Sequence, residues 1–360
     1  MAGAHECSPN VGPKYTSTLS TIHLTQHRII DHNLTSALIL EDDADWDIRL
    51  KSQLQVFAQA ARAFTQPTTR ASTSQKPQPL AQAETYKPPG MTSSTVVELP
   101  LDRLLDRLPL RDLHPTITPY GDDWDVLWLG HCGTDFPNVS SPNAEASGHQ
   151  KPKTPNPNGK DKPPPPHKPV GYKPKENPNR TPPPILRIPI SNDPTVPEPQ
   201  HLKPHPFALR DQLGDEYPPH TRVVHASSGT ICTQAYAVSQ RGARKLLWQF
   251  GLESLTAGWD LMLRDWCDGR YFDGTGYTPN NSEGGRGGKR SPICVTVQPP
   301  LFSHHYGKGS ASDITSPGGG FINKNKDTTP YVRYSVKLNM GRLVEGAQGV
   351  EDLVDQFPDA

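Results

Sequence analysis

The sequence predicts an α/β fold in which a mixed sheet is flanked by helices and interrupted by long insertions. Short apolar runs at 37–40, 125–129 and 293–297 have the length of buried strands and are too short for helices. In segment 46–64 the apolar residues recur at alternating steps of four and three, which is typical of one helix face packed on a sheet. Because a sheet and amphipathic helices each need a partner to cover an apolar face, these elements are expected to share a core.

The sequence predicts further helices and strands. Ser239 is a candidate N-cap for a helix that runs to Phe250 and is closed by Gly251. The other predicted elements are a short helix at 21–33, strands at 36–40, 231–238 and 293–297, a helix at 258–267, and an alternating edge strand at 332–338.

Two segments are too poor in apolar residues to pack into a core. Segment 65–95 is rich in Thr, Ser, Gln and Pro and is predicted to be a flexible insertion. Segment 138–206 is dominated by Pro and Lys and is predicted to be disordered and partly polyproline II, with an SH3- or WW-type ligand as the alternative. The predicted domain therefore has a first part at 21–137 and a second part at 207–360, after a polar segment at 1–20.

Composition limits the classes of function. The chain has 360 residues, of which 41 are proline and 33% are hydrophobic, so much of it is not core. Its 37 acidic and 37 basic residues cancel, which gives no electrostatic case for a nucleic-acid partner or an anionic membrane. No apolar stretch approaches the length of a membrane span, and the N-terminus lacks the apolar core of a signal peptide.

Cysteine usage and glycosylation motifs bear on the compartment. Five cysteines show no zinc-finger or C-x-x-C spacing, and their odd number predicts no disulfide framework, although one pair could form in an oxidising lumen. The acceptor pattern for N-glycosylation begins at Asn33, Asn138, Asn179 and Asn280, and it matters only if the chain enters the secretory pathway.

A dense acidic cluster follows the first predicted strand. Glu41, Asp42 and Asp43 come directly after the apolar run, with Asp45 and Asp47 close behind. Carboxylates at the C-terminal end of a strand lie where open α/β sheets bind ligands, and a divalent cation would relieve their repulsion. Glu41 and Asp43 point the same way in extended backbone, so they could share one ion. The alternative is that the acids, Asp45 or Asp47 in particular, begin the next helix.

The sequence around this cluster resembles glycosyltransferase family 25, especially its fungal members. The resemblance begins with LILEDDADWD at 38–47 and continues, in the family's order, with WDVLWLGHCG at 124–133, the block at 230–268, and 295–305 followed by Ser-Asp-Ile at 312–314. It implies a GT-A fold, a UDP-sugar donor and Mn²⁺ or Mg²⁺. It also implies transfer of a hexose such as galactose to a hydroxyl group of a glycan or protein acceptor.

The resemblance and the chemistry of transfer together suggest metal ligands. Asp43 is the first candidate for a direct ligand, and Glu41 is expected to contact metal, water or ribose. Asp42 is expected to point to the side opposite Glu41 and Asp43 and to orient these neighbours at the cofactor. His304 and His305 follow a predicted strand and are candidates for a further ligand, with a surface or phosphate-contacting role as the alternative.

Other candidates concern the acceptor and the pyrophosphate. Asp260 is a candidate catalytic base or acceptor-binding residue, with a helix N-cap as the alternative. Neighbouring Trp259 is expected to pack in the core, with stacking on a sugar as the alternative. Ser312 and Asp313 are candidates for a loop at the pyrophosphate. His131 and Cys132 follow a strand end and are expected to be structural.

One part of the family pattern has no counterpart here. Family members carry a strand of the Ile-Asn-Leu type and an Arg-rich turn before the acidic motif, and the 35 residues before Ser36 show neither. The sequence therefore predicts that part of the nucleotide pocket is missing and that transfer is slow. The alternative function is a catalytically impaired relative that acts as a binding protein. Localisation stays open, with the secretory pathway expected only if a fuller form carries a signal or anchor.

Overall fold

A computed structural model describes residues 25–65, 84–86, 96–107, 116–137, 185–202, 211–251, 257–271, 291–308 and 327–359. The strands are β1 (Ser36–Leu40), β2 (Ala44–Trp46), β3 (Glu84–Tyr86), β4 (Val96–Glu98), β5 (Val126–Gly130), β6 (Ile185–Ile190), β7 (Arg222–Ala226), β8 (Ala235–Ser239), β9 (Cys294–Gln298) and β10 (Phe302–His304). The helices are α1 (25–31), α2 (Leu50–Thr65), α3 (Leu101–Arg107), α4 (Gln212–Glu216), α5 (Gln240–Gly251), α6 (Trp259–Cys267) and α7 (Val336–Val344).

The described strands form one mixed sheet, as the sequence predicts. Its order is β1-β8-β5-β9-β7-β6-β4-β3, and β10 pairs with both β5 and β2 off this path. The pairs β5–β9, β4–β6 and β10–β5 are parallel, and the other pairs are antiparallel. This arrangement brings β2 and β10 beside the C-terminal end of β1, where the acidic cluster begins.

Helices cover both faces of the sheet, and β5 divides its side chains between them. Leu127 and Leu129 join the core under α2 and α3, whereas Val126 and Trp128 join the core under α5 and α6. This alternation follows from the two-residue period of a strand. All four side chains are buried, so β5 is a central strand, and full burial of a residue such as Leu127 stabilises the fold by about 2 kcal/mol.

Helix α5 begins where the sequence predicts. The Ser239 hydroxyl accepts a hydrogen bond from Gly242 N at 3.0 Å and donates one to Trp124 O at 2.7 Å. The N-cap prediction for Ser239 is therefore confirmed, and the cap also ties the helix to the segment before β5. The predicted helix at 258–267 is also present as α6, and the predicted strand at 293–297 as β9.

Strand β1 differs from the prediction of a buried strand. It pairs only with β8 among the described strands and therefore lies at the sheet edge. Ala37 and Ile39 pack against the core under α5 and α6, but Leu38 and Leu40 are 46% and 43% exposed. The prediction of full burial was wrong, because a short apolar run does not reveal whether both faces of a strand are covered.

Two other elements were predicted wrongly. The alternating segment 332–338 is not an edge strand, because Ser335 caps α7 by accepting a hydrogen bond from Leu338 N. The predicted strand at 231–238 begins only at Ala235. The backbone of Cys232 is left-handed, with φ of +64°, and this conformation is incompatible with a strand.

Part of the predicted proline-rich insertion at 138–206 is ordered. Strand β6 pairs with β7 on one side and β4 on the other, so the prediction of disorder was wrong for 185–202. Pro189 is tolerated because it lies beyond the β4 pairing, which ends at Arg187. The short strand β3 likewise lies inside the predicted insertion at 65–95. The rest of both segments and the polar segment 1–20 lie outside the described residues, save Thr65, which ends α2.

Candidate functional site

The acidic cluster lies in a turn between β1 and β2. Glu41 N donates to Gln234 O at 3.0 Å, and Ala44 N donates to Glu41 O at 3.1 Å, which reverses the chain. Antiparallel pairing of β2 with β10 places Ala44 opposite His304, and His305 N donates to Asp43 O at 2.9 Å. The sheet therefore brings the predicted carboxylates and the predicted histidines together.

Asp43 and His304 are in direct contact. Asp43 Oδ2 lies 3.1 Å from His304 Nδ1, and Asp43 Oδ1 is inaccessible to solvent and has no hydrogen-bond partner among the described residues. Burial lowers the pKa of His304, and the charges of His305 and Lys337 lower it further against the opposing effect of Asp43. A neutral imidazole beside an unsatisfied carboxylate oxygen is a donor set suited to a divalent cation.

Glu41 lies among several carboxylates. Packing of protein around it raises the pKa of its carboxyl group, the Thr233 hydroxyl at 2.7 Å lowers it, and Asp43, Asp260 and Asp42 raise it by repulsion. Four carboxyl groups thus influence one another at the end of β1. A bound cation would offset this repulsion, which is the electrostatic feature that the sequence predicts.

Asp260 reaches the same region from α6. The N-cap of this helix is Gly258, so the alternative of an N-cap role for Asp260 was wrong. Asp260 Oδ2 instead accepts a hydrogen bond from Cys232 N at 3.2 Å. Trp259 is buried and donates from Nε1 to Tyr236 OH at 3.1 Å, which confirms its predicted core position.

The loop before β8 connects the site residues, and sequence reasoning missed it. Cys232 N contacts Asp260 and the next residue, Thr233, contacts Glu41. Cys232 forms a disulfide with Cys132, which follows β5. The two cysteines are 100 residues apart, so no local signal in the sequence indicates their pairing. A second disulfide joins Cys267 to Cys294, so the prediction that the odd cysteine count gives no disulfide framework was wrong.

Asp45 and Asp47 have structural roles. Asp45 is fully buried and accepts hydrogen bonds from the hydroxyls of Thr329 and Ser335 and from Lys337 N. Burial alone would raise the pKa of Asp45, but these bonds and one from His305 lower it. Asp47 pairs with Arg49 and accepts from Arg49 N just before α2, which fits the alternative that an acid precedes this helix.

The remaining predicted site residues are less well defined. His305 Nδ1 lies 2.9 Å from Thr329 Oγ1 and 3.5 Å from Asp45 Oδ2, so only its Nε2 is left for the predicted ligand role. Asp42 is exposed, and its carbonyl oxygen accepts from Lys337 Nζ at 2.9 Å. Ser312 and Asp313 lie outside the described residues. His131 is buried, with Nε2 at 2.9 Å from Val297 O, and so has the predicted structural position.

Among the four predicted metal residues, Asp43 and His304 are in direct contact, but no three of the four bring their ligand atoms together, so the set is not closed. Across the described ranges, three potential ligand atoms lie within 4.8 Å of one another only at Glu198, His220 and Asp359. That group is elsewhere, and Asp359 there is also paired with Arg333. A cation at the acidic cluster would thus take its remaining ligands from water or from a bound phosphate, as Mg²⁺ commonly does.

Comparison with known proteins gives no further guide to this site. No protein-family model, curated protein or solved structure significantly matches the chain. In the described part of the chain, no helix is both long enough and apolar enough to cross a membrane.

Proposed function

We propose that this chain is a metal-dependent glycosyltransferase of GT-A type that moves a hexose from a UDP-sugar to a hydroxyl group of a glycan or protein. The observation that carries the proposal is the buried Asp43 Oδ1, which has no partner among the described residues although it adjoins His304 and the other carboxylates of the cluster. The Asp43 side chain is 40% exposed, so its carboxylate is accessible to a cation from solvent, which would offset the repulsion within the cluster.

Asp43 and His304 are the residues that would hold the metal. Asp43 supplies a carboxylate oxygen and His304 a neutral ring nitrogen, which together suit Mn²⁺ or Mg²⁺ with phosphate oxygens as further ligands. Such a metal, when bound, supplies Lewis-acid neutralisation of the leaving diphosphate. Glu41, which accepts a hydrogen bond from the Thr233 hydroxyl, would bind water or a ribose hydroxyl beside the metal.

Lys337 supplies positive charge beside the acidic cluster. It lies in the first turn of α7, and its Nζ contacts Asp42 O at 2.9 Å. Its charge also acts on His304, whose pKa it lowers. We assign Lys337 to the diphosphate, because a flexible ammonium group beside the metal residues can balance charge on the leaving group.

Asp260 is the candidate base. Its Oδ2 is fixed by Cys232 N, and it lies near enough to Glu41 for the two charges to repel. In an inverting transfer, Asp260 would take the proton of the acceptor hydroxyl as that oxygen attacks the anomeric carbon. Holding the acceptor hydroxyl against the anomeric carbon of the donor would supply much of the rate enhancement expected for such an enzyme.

Calorimetry with UDP and Mn²⁺ tests the proposal. Wild-type protein should release heat only when both are present, and Asp43→Asn should abolish this binding while the circular dichroism spectrum is retained. Asp123→Asn is a matched control, because Asp123 is 58% exposed in a surface pair with Arg241. Unchanged UDP affinity in Asp43→Asn would refute the site.

A binding protein without activity is the second candidate, favoured by the absence of a closed ligand set among the described carboxylates and histidines of the cluster. The two candidate functions are separated by measuring the release of UDP from UDP-galactose and UDP-glucose in the presence of simple sugar acceptors. Metal-dependent UDP binding without turnover would support the second candidate, whereas turnover that is lost in Asp260→Asn would support the enzyme.

A further inference from the structure

The two disulfides indicate the compartment in which the protein folds. Cys132–Cys232 and Cys267–Cys294 use four of the five cysteines of the chain, and both pairs join separate elements around the sheet. Each disulfide forms by exchange with an oxidised dithiol carrier, which takes up the two electrons and two protons of the thiol pair. Stable structural disulfides are typical of the secretory pathway and rare in reducing compartments.

One glycosylation acceptor sequence of the described part lies on an open turn. Asn33, Leu34 and Thr35 are all exposed between α1 and β1, and Asn33 has a left-handed backbone with φ of +51°. The Asn33 side chain contacts Gln240, whose Nε2 donates to Asn33 Oδ1 at 2.8 Å. This contact uses the oxygen and not the nitrogen to which a glycan is attached. The acceptor sequences at 138, 179 and 280 lie outside the described residues.

We propose that Asn33 is an N-glycosylation site and that the protein matures in an oxidising, glycosylating compartment. The donor is a lipid-diphosphate-linked oligosaccharide. The bond from Asn33 Nδ2 to the anomeric carbon forms as the bond from that carbon to the diphosphate oxygen breaks. The amide nitrogen loses one proton, and the lipid diphosphate leaves. This inference is independent of the proposed transferase activity, because it concerns the surface of the chain and not its acidic cluster.

The location gives the glycan a physical role. Asn33 lies three residues before β1, which is an edge strand among the described strands and exposes Leu38 and Leu40 together with nearby Leu34. An exposed apolar edge strand is a template for pairing with other chains. A bulky, hydrated glycan at the start of this strand would hinder such pairing and keep the protein soluble.

The test is mass spectrometry of the full chain purified without reductant from the cells that produce it. After release of glycans by a peptide N-glycosidase in heavy-oxygen water, the peptide that contains residue 33 should carry a labelled Asp. The peptides of the two cysteine pairs should be found cross-linked. An unmodified Asn33, or free thiols at these four cysteines, would overturn the proposal.

Variants expressed in the same cells give an independent readout. Asn33→Gln and Thr35→Ala should both reduce, by the contribution of one glycan, the mobility shift that the glycosidase removes from the wild-type protein. Thr35→Ser keeps the acceptor pattern and should retain the shift. A shift of undiminished size in both Asn33→Gln and Thr35→Ala would refute glycosylation at this site.

Discussion

At the residue scale, a buried ion pair anchors the sheet to the loop after β6. Asp193 Oδ2 accepts from Arg222 Nε at 2.8 Å, and Arg222 is 3% exposed. Thr195 connects both partners, because its hydroxyl donates to Asp193 Oδ1 and accepts from Arg222 Nη2. Burial would raise the pKa of Asp193, but the charge and hydrogen bonds of Arg222 and Thr195 lower it below its ordinary value of 3.8.

Asp193→Asn should destabilise the protein by about 3 kcal/mol at pH 7, because it leaves the buried Arg222 without its counter-ion. The pKa of Asp193 is lower in the folded protein than its ordinary value of 3.8. The stability that its charge contributes is therefore fully present above about pH 3.8 and is lost as the pH falls through the folded pKa. The difference between wild type and variant in urea unfolding should therefore shrink at strongly acidic pH. The surface variant Asp123→Asn should change stability by less than about 1 kcal/mol. An equal loss in both variants would contradict this assignment.

Lys337 provides a second prediction at this scale, which rests on the proposed function. Lys337→Met should weaken Mn²⁺-dependent binding of UDP by about tenfold to a hundredfold, because a charge-assisted contact with phosphate contributes about 1.5–3 kcal/mol. Binding of uridine, which has no phosphate, should change little. Lys51→Met on the exposed face of α2 is the control. Equal weakening of UDP and uridine in calorimetry would show that Lys337 acts through the fold.

At the element scale, the packing of α5 on β5 depends on a close backbone approach. Gly242 lies in the first turn of α5, and a Cβ atom there would overlap the carbonyl group of Asp125. Asp125 is fully buried and also pairs with Lys245 and Arg241 of the same helix. Gly341 in α7 differs, because no atom of the described part of the chain lies within 4 Å of the position that a Cβ would take.

Gly242→Ala should therefore destabilise the protein by about 1–3 kcal/mol, because the overpacked helix must move away from β5. Gly341→Ala should instead stabilise it by up to about 1 kcal/mol through helix propensity. Thermal unfolding of the two variants measures the difference. Stabilisation in both variants would mean that α5 and β5 are not in the contact described.

At the scale of the whole molecule, the two disulfides serve different regions. Cys132–Cys232 closes a separation of 100 residues and fixes the loop whose residues contact Glu41 and Asp260. Cys267–Cys294 closes a separation of 27 residues between α6 and β9, where both cysteines are buried in the core under α5 and α6. The first pair is thus connected to the candidate site, and the second pair to the core.

Replacing either pair with Ser should cost about 2–5 kcal/mol of stability. Only Cys132→Ser with Cys232→Ser should also weaken Mn²⁺-dependent UDP binding, because the loop that positions Glu41 and Asp260 loses its anchor. Calorimetry and urea unfolding of both double variants separate these effects. If the Cys267→Ser and Cys294→Ser double variant lost as much UDP affinity as the other double variant at equal stability, the link between Cys132–Cys232 and the candidate site would be refuted.

Local patterns in the sequence were sufficient for several elements and for locating the acidic cluster after β1. The face of α2, the Ser239 cap of α5 and the strand before Glu41 each depend on residues that are close together in the chain. The acidic residues after that strand are likewise visible without a structure, so the sequence alone predicts a cation site at 41–43.

Only the tertiary structure decided which residues share an environment. It separates Asp45, which is fully buried and bonded to Ser335, from Asp43, which lies beside His304 and has one oxygen without a partner among the described residues. It also decides that β1 lies at a sheet edge and that Cys132 pairs with Cys232. These outcomes depend on contacts between residues far apart in the chain, and the periodicity of a short segment carries no information about such contacts.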